Sequence, residues 1–309
     1  MQTFKSILQF SKHFSTEDIC REHLEQSRWN GTPCCPFCAS INVTRFAKNI
    51  RRFQCNEKVC RKQFSVTVGT IYENSKIPLT KWYLATYIIT THSKGISSLQ
   101  LATMLDVTQK TAWFLNHRIR EMLTDKAPDL LTGTVEIDET YIGGKESNKH
   151  KHKRKAKGGT SGKTMVVGAV QRGGKLTTQV IPQTTIEHIS NFIENTVETG
   201  SNMVTDESQA YNKVKQNYVH ETVNHGAKEY VRKENGKKIH TNTIEGFWSI
   251  LKKQIVGIHH QVSPQHLQRY CNESAYRYNR RELLQDEKFA DAVSKCEGRL
   301  KYNQLIGKI

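Results

Sequence analysis

Four cysteines in two close pairs constrain this chain more than any other feature: Cys35-Pro36-Phe37-Cys38 and, 16 residues further on, Cys55-Asn56-Glu57-Lys58-Val59-Cys60. Tetrahedral zinc takes four soft thiolate ligands, and two short Cys turns at the ends of a β-hairpin can supply them. The two pairs are far apart in sequence, so binding a metal would close a long loop and help to fold this piece. β-prone Phe53, Phe64, Val66 and Val68 accompany them, and residues 32–75 are expected to form a ribbon holding one structural Zn2+. Cys34 is an adjacent substitute for Cys35, and incidental free thiols are the plainer alternative. Cys20, Cys271 and Cys296 are isolated and read as structural.

The 309 residues carry 46 Lys+Arg against 29 Asp+Glu, a net charge of +17. Such an excess points to a polyanionic partner, nucleic acid first and an anionic membrane surface second. No stretch approaches the roughly 20 apolar residues of a spanning helix. The start, Met1-Gln2-Thr3-Phe4-Lys5-Ser6, lacks the apolar region of a signal peptide. The expected location is therefore the reducing cytoplasm, beside the nucleoid, where clustered thiols more often hold metal than pair with each other.

The charge is concentrated: residues 145–175 hold ten Lys or Arg against the single acid Glu146. The middle of that run has no apolar periodicity and reads as a basic loop. Lys151, Lys153, Arg154, Lys155 and Lys157 would follow a phosphate backbone, the bland alternative being a solvated loop with no specific role. At its end Gly158-Gly159-Thr160-Ser161-Gly162-Lys163-Thr164 imitates a phosphate-binding loop, but it has one residue too few between glycines and leads into a strand.

Around this loop the chain divides by pattern. Residues 1–31 read as an N-terminal helical segment, with Ser15, Thr16, Glu17 and Asp18 starting a helix. Residues 76–131 read as helices, among them a pair joined by Asp106-Val107-Thr108. That pair matches a helix-turn-helix whose second helix presents Gln109, Lys110 and Asn116, although any helical hairpin looks similar. From residue 132 to 285 strands alternate with helices, the order of a mixed α/β sheet with helices packed on it, followed by a helical tail over 286–309.

The α/β region holds three notable acids. Asp138 and Asp206 are each expected to end a strand, and Glu245 lies near the start of a helix whose Ile244, Phe247, Trp248, Leu251 and Ile255 form an apolar stripe. Lys252 stands seven residues after Glu245 on the neighbouring stripe. Carboxylates converging from two strand ends and a helix would make an oxygen-ligand site for Mg2+ or Mn2+. Acids at strand ends are also ordinary turn residues, and Asn242-Thr243-Ile244-Glu245 can be a capping arrangement, so spacing alone leaves both readings open.

Taken in order, the pieces resemble insertion-sequence transposases of the ISXO-like group, recombinases of the DDE type with an N-terminal zinc ribbon. The resemblance covers roughly residues 15–285. It is carried by Cys35-Pro36-Phe37-Cys38, Gly69-Thr70-Ile71, Trp82, Val135-Glu136-Ile137-Asp138-Glu139-Thr140-Tyr141 and Thr205-Asp206-Glu207. His240-Thr241-Asn242-Thr243-Ile244-Glu245-Gly246-Phe247-Trp248 and Arg277-Tyr278-Asn279-Arg280-Arg281 extend it. The resemblance implies a ribonuclease-H-like catalytic domain over 132–285, with a basic insertion at 145–163 and two Mg2+ or Mn2+ ions on Asp138, Asp206 and Glu245. It implies that Lys252 touches DNA near the scissile phosphate, and that Glu136, Glu139 and Glu207 are the substitutes if one acid is misassigned. It further implies recognition of terminal inverted repeats and target DNA by subunits that assemble on paired ends, with no small-molecule substrate and no membrane. A zinc-ribbon DNA-binding regulator, or a relative without catalysis, is the alternative.

Overall fold

The computed structural model describes residues 3–307 except 145, 149, 155–159, 184, 209–210, 212–216, 225–230 and 235, with backbone alone for Glu146, Lys153 and Lys237. In chain order the elements begin with α1 (Ile7–His13), α2 (Glu17–Trp29), β1 (Val43–Arg45), β2 (Phe53–Cys55) and β3 (Gln63–Phe64). They continue with α3 (Leu79–Thr91), α4 (Ser98–Leu105), α5 (Gln109–Met122), β4 (Thr134–Ile142), β5 (Thr164–Gln171), β6 (Leu176–Ile181) and α6 (Ile186–Glu194). The last are β7 (Asn202–Asp206), β8 (Val219–Val223), β9 (Arg232–Glu234), β10 (Lys237–Ile239), α7 (Asn242–Gln254), α8 (Pro264–Asn279), α9 (Gln285–Ser294) and α10 (Tyr302–Leu305). They belong to two units, residues 1–123 with 282–309, and residues 124–281. No helix among the described residues is long and apolar enough to cross a membrane.

In the first unit α3 is apolar on every side and buries Trp82, Tyr83, Ile88 and Ile89, as a central helix must. Its buried Thr86 and Thr90 hydroxyls donate back to the Trp82 and Thr86 carbonyls at 2.9 and 2.8 Å, so no polar group is stranded there. The C-terminal residues do not stand apart as a tail. Ile71 N–H donates to the Cys296 carbonyl and Gly298 N–H to the Gly69 carbonyl, both at 2.9 Å. Phe289 of α9 then enters an aromatic cluster, its ring centre 4.9 Å from Phe10, 5.4 Å from Phe14 and 5.2 Å from Tyr83. Burial of that ring is why the chain returns to the unit it began in.

The second unit is built on a five-stranded sheet in the order β6-β5-β4-β7-β8, with β4, β5 and β6 antiparallel and β7 and β8 parallel to β4. Strand order and directions are those of the ribonuclease-H-like fold. One face packs against α6, the other against α7 and α8. Being covered on both sides, β5 is an uninterrupted apolar run with buried Met165, Val166, Val167, Ala169 and Val170. Edge strand β6 is closed by side-chain amides of α8. Gln268 accepts from Val180 N–H at 2.6 Å and donates to the Thr178 carbonyl, while Asn279 accepts from Leu176 N–H at 2.7 Å and donates to the Leu176 carbonyl. The helix thus takes the place of a sixth strand and protects the edge. Replacing Phe289 by Ala is expected to cost about 3–5 kcal/mol, read as a lowered urea midpoint of the first unit.

Candidate active site and metal centre

Side chains of β4 alternate between the two faces: Val135, Ile137 and Tyr141 meet the α6 layer, whereas Glu136, Asp138 and Ile142 meet α7. Parallel pairing places Thr134 beside Asn202 and Glu136 beside Val204, and the same register carried two residues further sets Asp138 beside Asp206, the last residue of β7. Asp138 itself does not end a strand, as the sequence reading expected. Pairing with β5 continues to Ile142 opposite Thr164, while pairing with β7 stops at Glu136, so the carboxylate sits inside β4 but past the end of its neighbour.

Glu136, the nearest competitor of Asp138, has a different task. Its fully buried carboxylate accepts Thr243 N–H at 2.8 Å and Ile244 N–H at 3.1 Å, the first amides of α7. It also accepts the Thr243 hydroxyl at 2.9 Å and Arg172 Nε at 2.8 Å. The Arg172 Nη atoms hold the carbonyls of Lys238 and His240, at 2.6 and 2.8 Å, so the segment leading into α7 is tied to the same ion pair. His240 stands 3.3 Å from Glu136 without hydrogen-bond geometry; burial first, then Arg172, lowers its pKa. Glu136 therefore caps α7 from the sheet, where the N-cap residue Thr241 makes no capping bond of its own.

A second contact sets how α7 lies on the sheet. Trp248 Nε1 donates to Asp138 Oδ2 at 3.0 Å, and directly opposite Asp138 in β5 stands Gly168. A Cβ at Gly168 would lie 2.7 Å from the Trp248 ring and 3.1 Å from Ile244, so only glycine lets the indole approach. One turn before Trp248, exposed Glu245 accepts the Thr241 hydroxyl at 3.0 Å. Asp206 Oδ1 accepts Ser208 N–H at 3.1 Å. Two of the acids act on the third: burial first, then the charges of Asp206 and Glu245, push Asp138 up to about 6 against the pull of Trp248 and a backbone amide. Glu139 points to the other face, where the buried Tyr211 hydroxyl donates to it; burial first, with Asp206 and Asp138 adding, pushes it up to about 7. Glu207 is exposed.

In the first unit the four expected cysteines meet. Cys35 Sγ lies 3.8 Å from Cys60 Sγ, Cys38 Sγ lies 3.6 Å from Cys55 Sγ, and all four sulfurs lie within 4.8 Å of one another. A tetrahedron of ~2.3 Å Zn–S bonds has edges of about 3.8 Å, so the sulfurs fit one zinc ion. Cys34 is outside the group, its sulfur 3.9 Å from the Cys35 carbonyl. Stacked Phe53 and Phe64 with Trp29 form the small core beneath, too little for strands of two or three residues without the metal.

The expected DNA contacts divide. Gln109 and Lys110 are exposed at the start of α5, and Lys252 is exposed on α7. Lys151 and Arg154 are exposed in the basic segment, where a short 3-10 turn covers Lys151–Lys153. Lys155, Lys157 and the Lys153 side chain lie outside the described residues. Asn116 is a correction: it is 1% exposed, because its position on α5 turns into the helical core, and it cannot reach DNA. Sequence reading missed Arg172 and Gly168; a glycine within an apolar strand was the available sign of a close approach. Trp248 was read only as part of the apolar stripe.

The ribonuclease-H-like sheet of the second unit and the four-cysteine ribbon of the first are each matched by a transposase family model. Residues 130–279 match the ISXO2-like transposase domain, and residues 15–63 match the transposase zinc-ribbon domain. An uncharacterised protein in transposable element ISH50 of Halobacterium salinarum is 29% identical over 273 residues, covering 84% of this chain and 90% of its own length. The chain belongs to the ISXO2-like insertion-sequence transposases.

Gly168→Ala is expected to destabilise the second unit by about 1–3 kcal/mol in urea, with altered Trp fluorescence, because Trp248 must leave Asp138. Elemental analysis should find about one zinc per chain, falling to near zero in Cys38→Ser.

Proposed function

We propose that this transposase is active. On this reading it binds the terminal inverted repeats of its own element and carries out metal-dependent DNA cleavage and strand transfer, with Asp138, Asp206 and Glu245 as the DDE carboxylates. The observation that carries this reading is the convergence of acids from three separate elements, where burial first, then the charges of Asp206 and Glu245, raise Asp138 to about 6. A fold that buries Glu136 merely to anchor α7 beside such a cluster is stabilising an arrangement costly to itself, which a divalent cation relieves. Two Mg2+ or Mn2+ ions held there would supply an activated attacking oxygen and charge neutralisation at the leaving one.

The chain's own contribution is placement. Trp248 keeps Asp138 in one rotamer by its indole N–H, Thr241 turns Glu245 back toward the start of α7, and the Ser208 amide orients Asp206. Lys252, two turns beyond Glu245 on the exposed side of α7, would hold a phosphate beside the acids. Lys151 and Arg154, with Lys153, Lys155 and Lys157, would track the backbone without reading sequence, and Gln109 and Lys110 would meet base edges at the start of α5. Joining two ends calls for two or more subunits.

Asp138→Asn, Asp206→Asn and Glu245→Gln should each reduce Mg2+-dependent joining of the element's ends by more than about a hundredfold, since outer-shell changes around a metal alone cost 10–100-fold. End binding should persist in all three. Binding without joining in the wild type would instead favour the regulator reading. Asp138, whose folded pKa exceeds its ordinary 3.8, favours the fold fully below that value and loses this contribution as pH rises through about 6. Mg2+ should therefore raise the melting temperature more at pH 8 than at pH 5, and have little effect on Asp138→Asn at either pH.

A further inference from the structure

Backbone pairing between β4 and β7 ends at Glu136 opposite Val204, two residues short of Asp138 and Asp206. Beyond that point each strand is held by its outer neighbour. β5 pairs with β4 as far as Ile142 opposite Thr164, and β8 pairs with β7 as far as Asp206 opposite Val223. The seam between β4 and β7 is therefore unpaired along the backbone at the level of the two acids.

A side-chain bond crosses that seam on the α6 face. The Tyr211 hydroxyl, in the segment after β7, donates to Glu139, the residue that follows Asp138. The Tyr211 ring is fully buried in the core cluster that holds Ile137, Ile189 and Met203, so packing aims the hydroxyl. From Tyr211 the connection runs back to Asp206: Tyr211 N–H donates to the Ser208 carbonyl at 3.3 Å, and Ser208 N–H donates to Asp206 Oδ1 at 3.1 Å. Asp138 and Asp206 are thus joined by a closed path, along β4 to Glu139, across to Tyr211, and through the Ser208 turn to the Asp206 carboxylate. In low-dielectric surroundings such a bond is stronger than at the surface.

A cation shared by two carboxylates tolerates little error in their spacing. Mg2+ demands near-octahedral oxygens at about 2.1 Å, and a working site has to be held to within about 0.5 Å. We propose that Tyr211 and Glu139 are a positioning pair that fixes the spacing of Asp138 and Asp206 for divalent-cation binding, from the opposite face of the sheet and without touching the ion. This rests on the reading of Asp138, Asp206 and Glu245 as the metal-binding acids, and it gives Glu139 a task other than that of a substitute ligand.

The test is titration of the zinc-loaded full chain with Mn2+, the free ion being followed by electron paramagnetic resonance, together with the Mn2+ dependence of end joining. Tyr211→Phe keeps the ring and removes the donor. It should weaken Mn2+ binding about tenfold, as expected for a bond outside the ligands themselves. Joining at saturating Mn2+ should return to within about threefold of the wild type, since the loss lies in binding the ion. Glu139→Met removes the acceptor and should cost about the same, with the double variant no worse than either single one. Glu139→Gln, whose amide oxygen still accepts from Tyr211, should recover most of the affinity that Glu139→Met loses. Glu139→Met decides the matter if Tyr211→Phe fails to fold. Wild-type Mn2+ affinity in Tyr211→Phe, a joining defect that saturating Mn2+ does not restore, or a Glu139→Gln variant as impaired as Glu139→Met would overturn the positioning pair alone. No Mn2+ bound by the wild type, or undiminished binding in Asp138→Asn, would overturn the metal reading and the pair with it.

Discussion

The buried carboxylate of Glu136 is the contact on which the α/β unit depends. An unpaired carboxylate inside a protein is prohibitively expensive. This one is tolerated because two helix amides, a hydroxyl and a guanidinium converge on it, with α7 presenting the positive end of its dipole. The same bonds tie the start of α7 to the middle strand of the sheet, two residues from Asp138. Once that end is pinned, the helix can rotate only as far as Trp248 and Gly168 permit, and Glu245 is brought to the side of the sheet where Asp138 and Asp206 already stand.

The two units solve opposite problems. The α/β unit has ample apolar surface and can sustain a self-repelling cluster of acids, which is where functional strain is expected. The ribbon has almost no core: strands of two or three residues, two stacked rings and a tryptophan. Four thiolates on zinc do for it what a larger hydrophobic interior would otherwise do. Around the ribbon, the return of the chain through Cys296, Gly298 and Phe289 completes the first unit with residues from the far end of the sequence.

Features set by local chemistry were legible in the sequence. Cysteine spacing foretold which four sulfurs meet, alternation and apolar stripes foretold the strands and α7, and the linked motifs foretold the family. Features set by distant packing were not. Glu136 and Asp138 share a face, and no pattern along the chain distinguishes a ligand from a cap when the capped amides lie over a hundred residues away. Asn116 looked polar and helical, yet its direction depends on how α5 packs. Asp138 was expected at the end of a strand over Thr134–Asp138, but β5, pairing alongside, carries β4 onward to Ile142. The C-terminal residues read as a tail because the cluster that receives Phe289 is formed by α1 and α3, at the opposite end of the chain.

The central claim is that α7, anchored by Glu136, brings Glu245 to Asp138 and Asp206 so that the three share divalent cations. Its most direct test is an anomalous difference map from crystals of the full chain soaked in Mn2+. The account predicts manganese peaks in contact with Asp138 and Asp206, with Glu245 among the ligands and Glu136 still bonded to the start of α7. Manganese bound by Glu136 or Glu139 instead, or no peak between the three acids at saturating Mn2+, would contradict it.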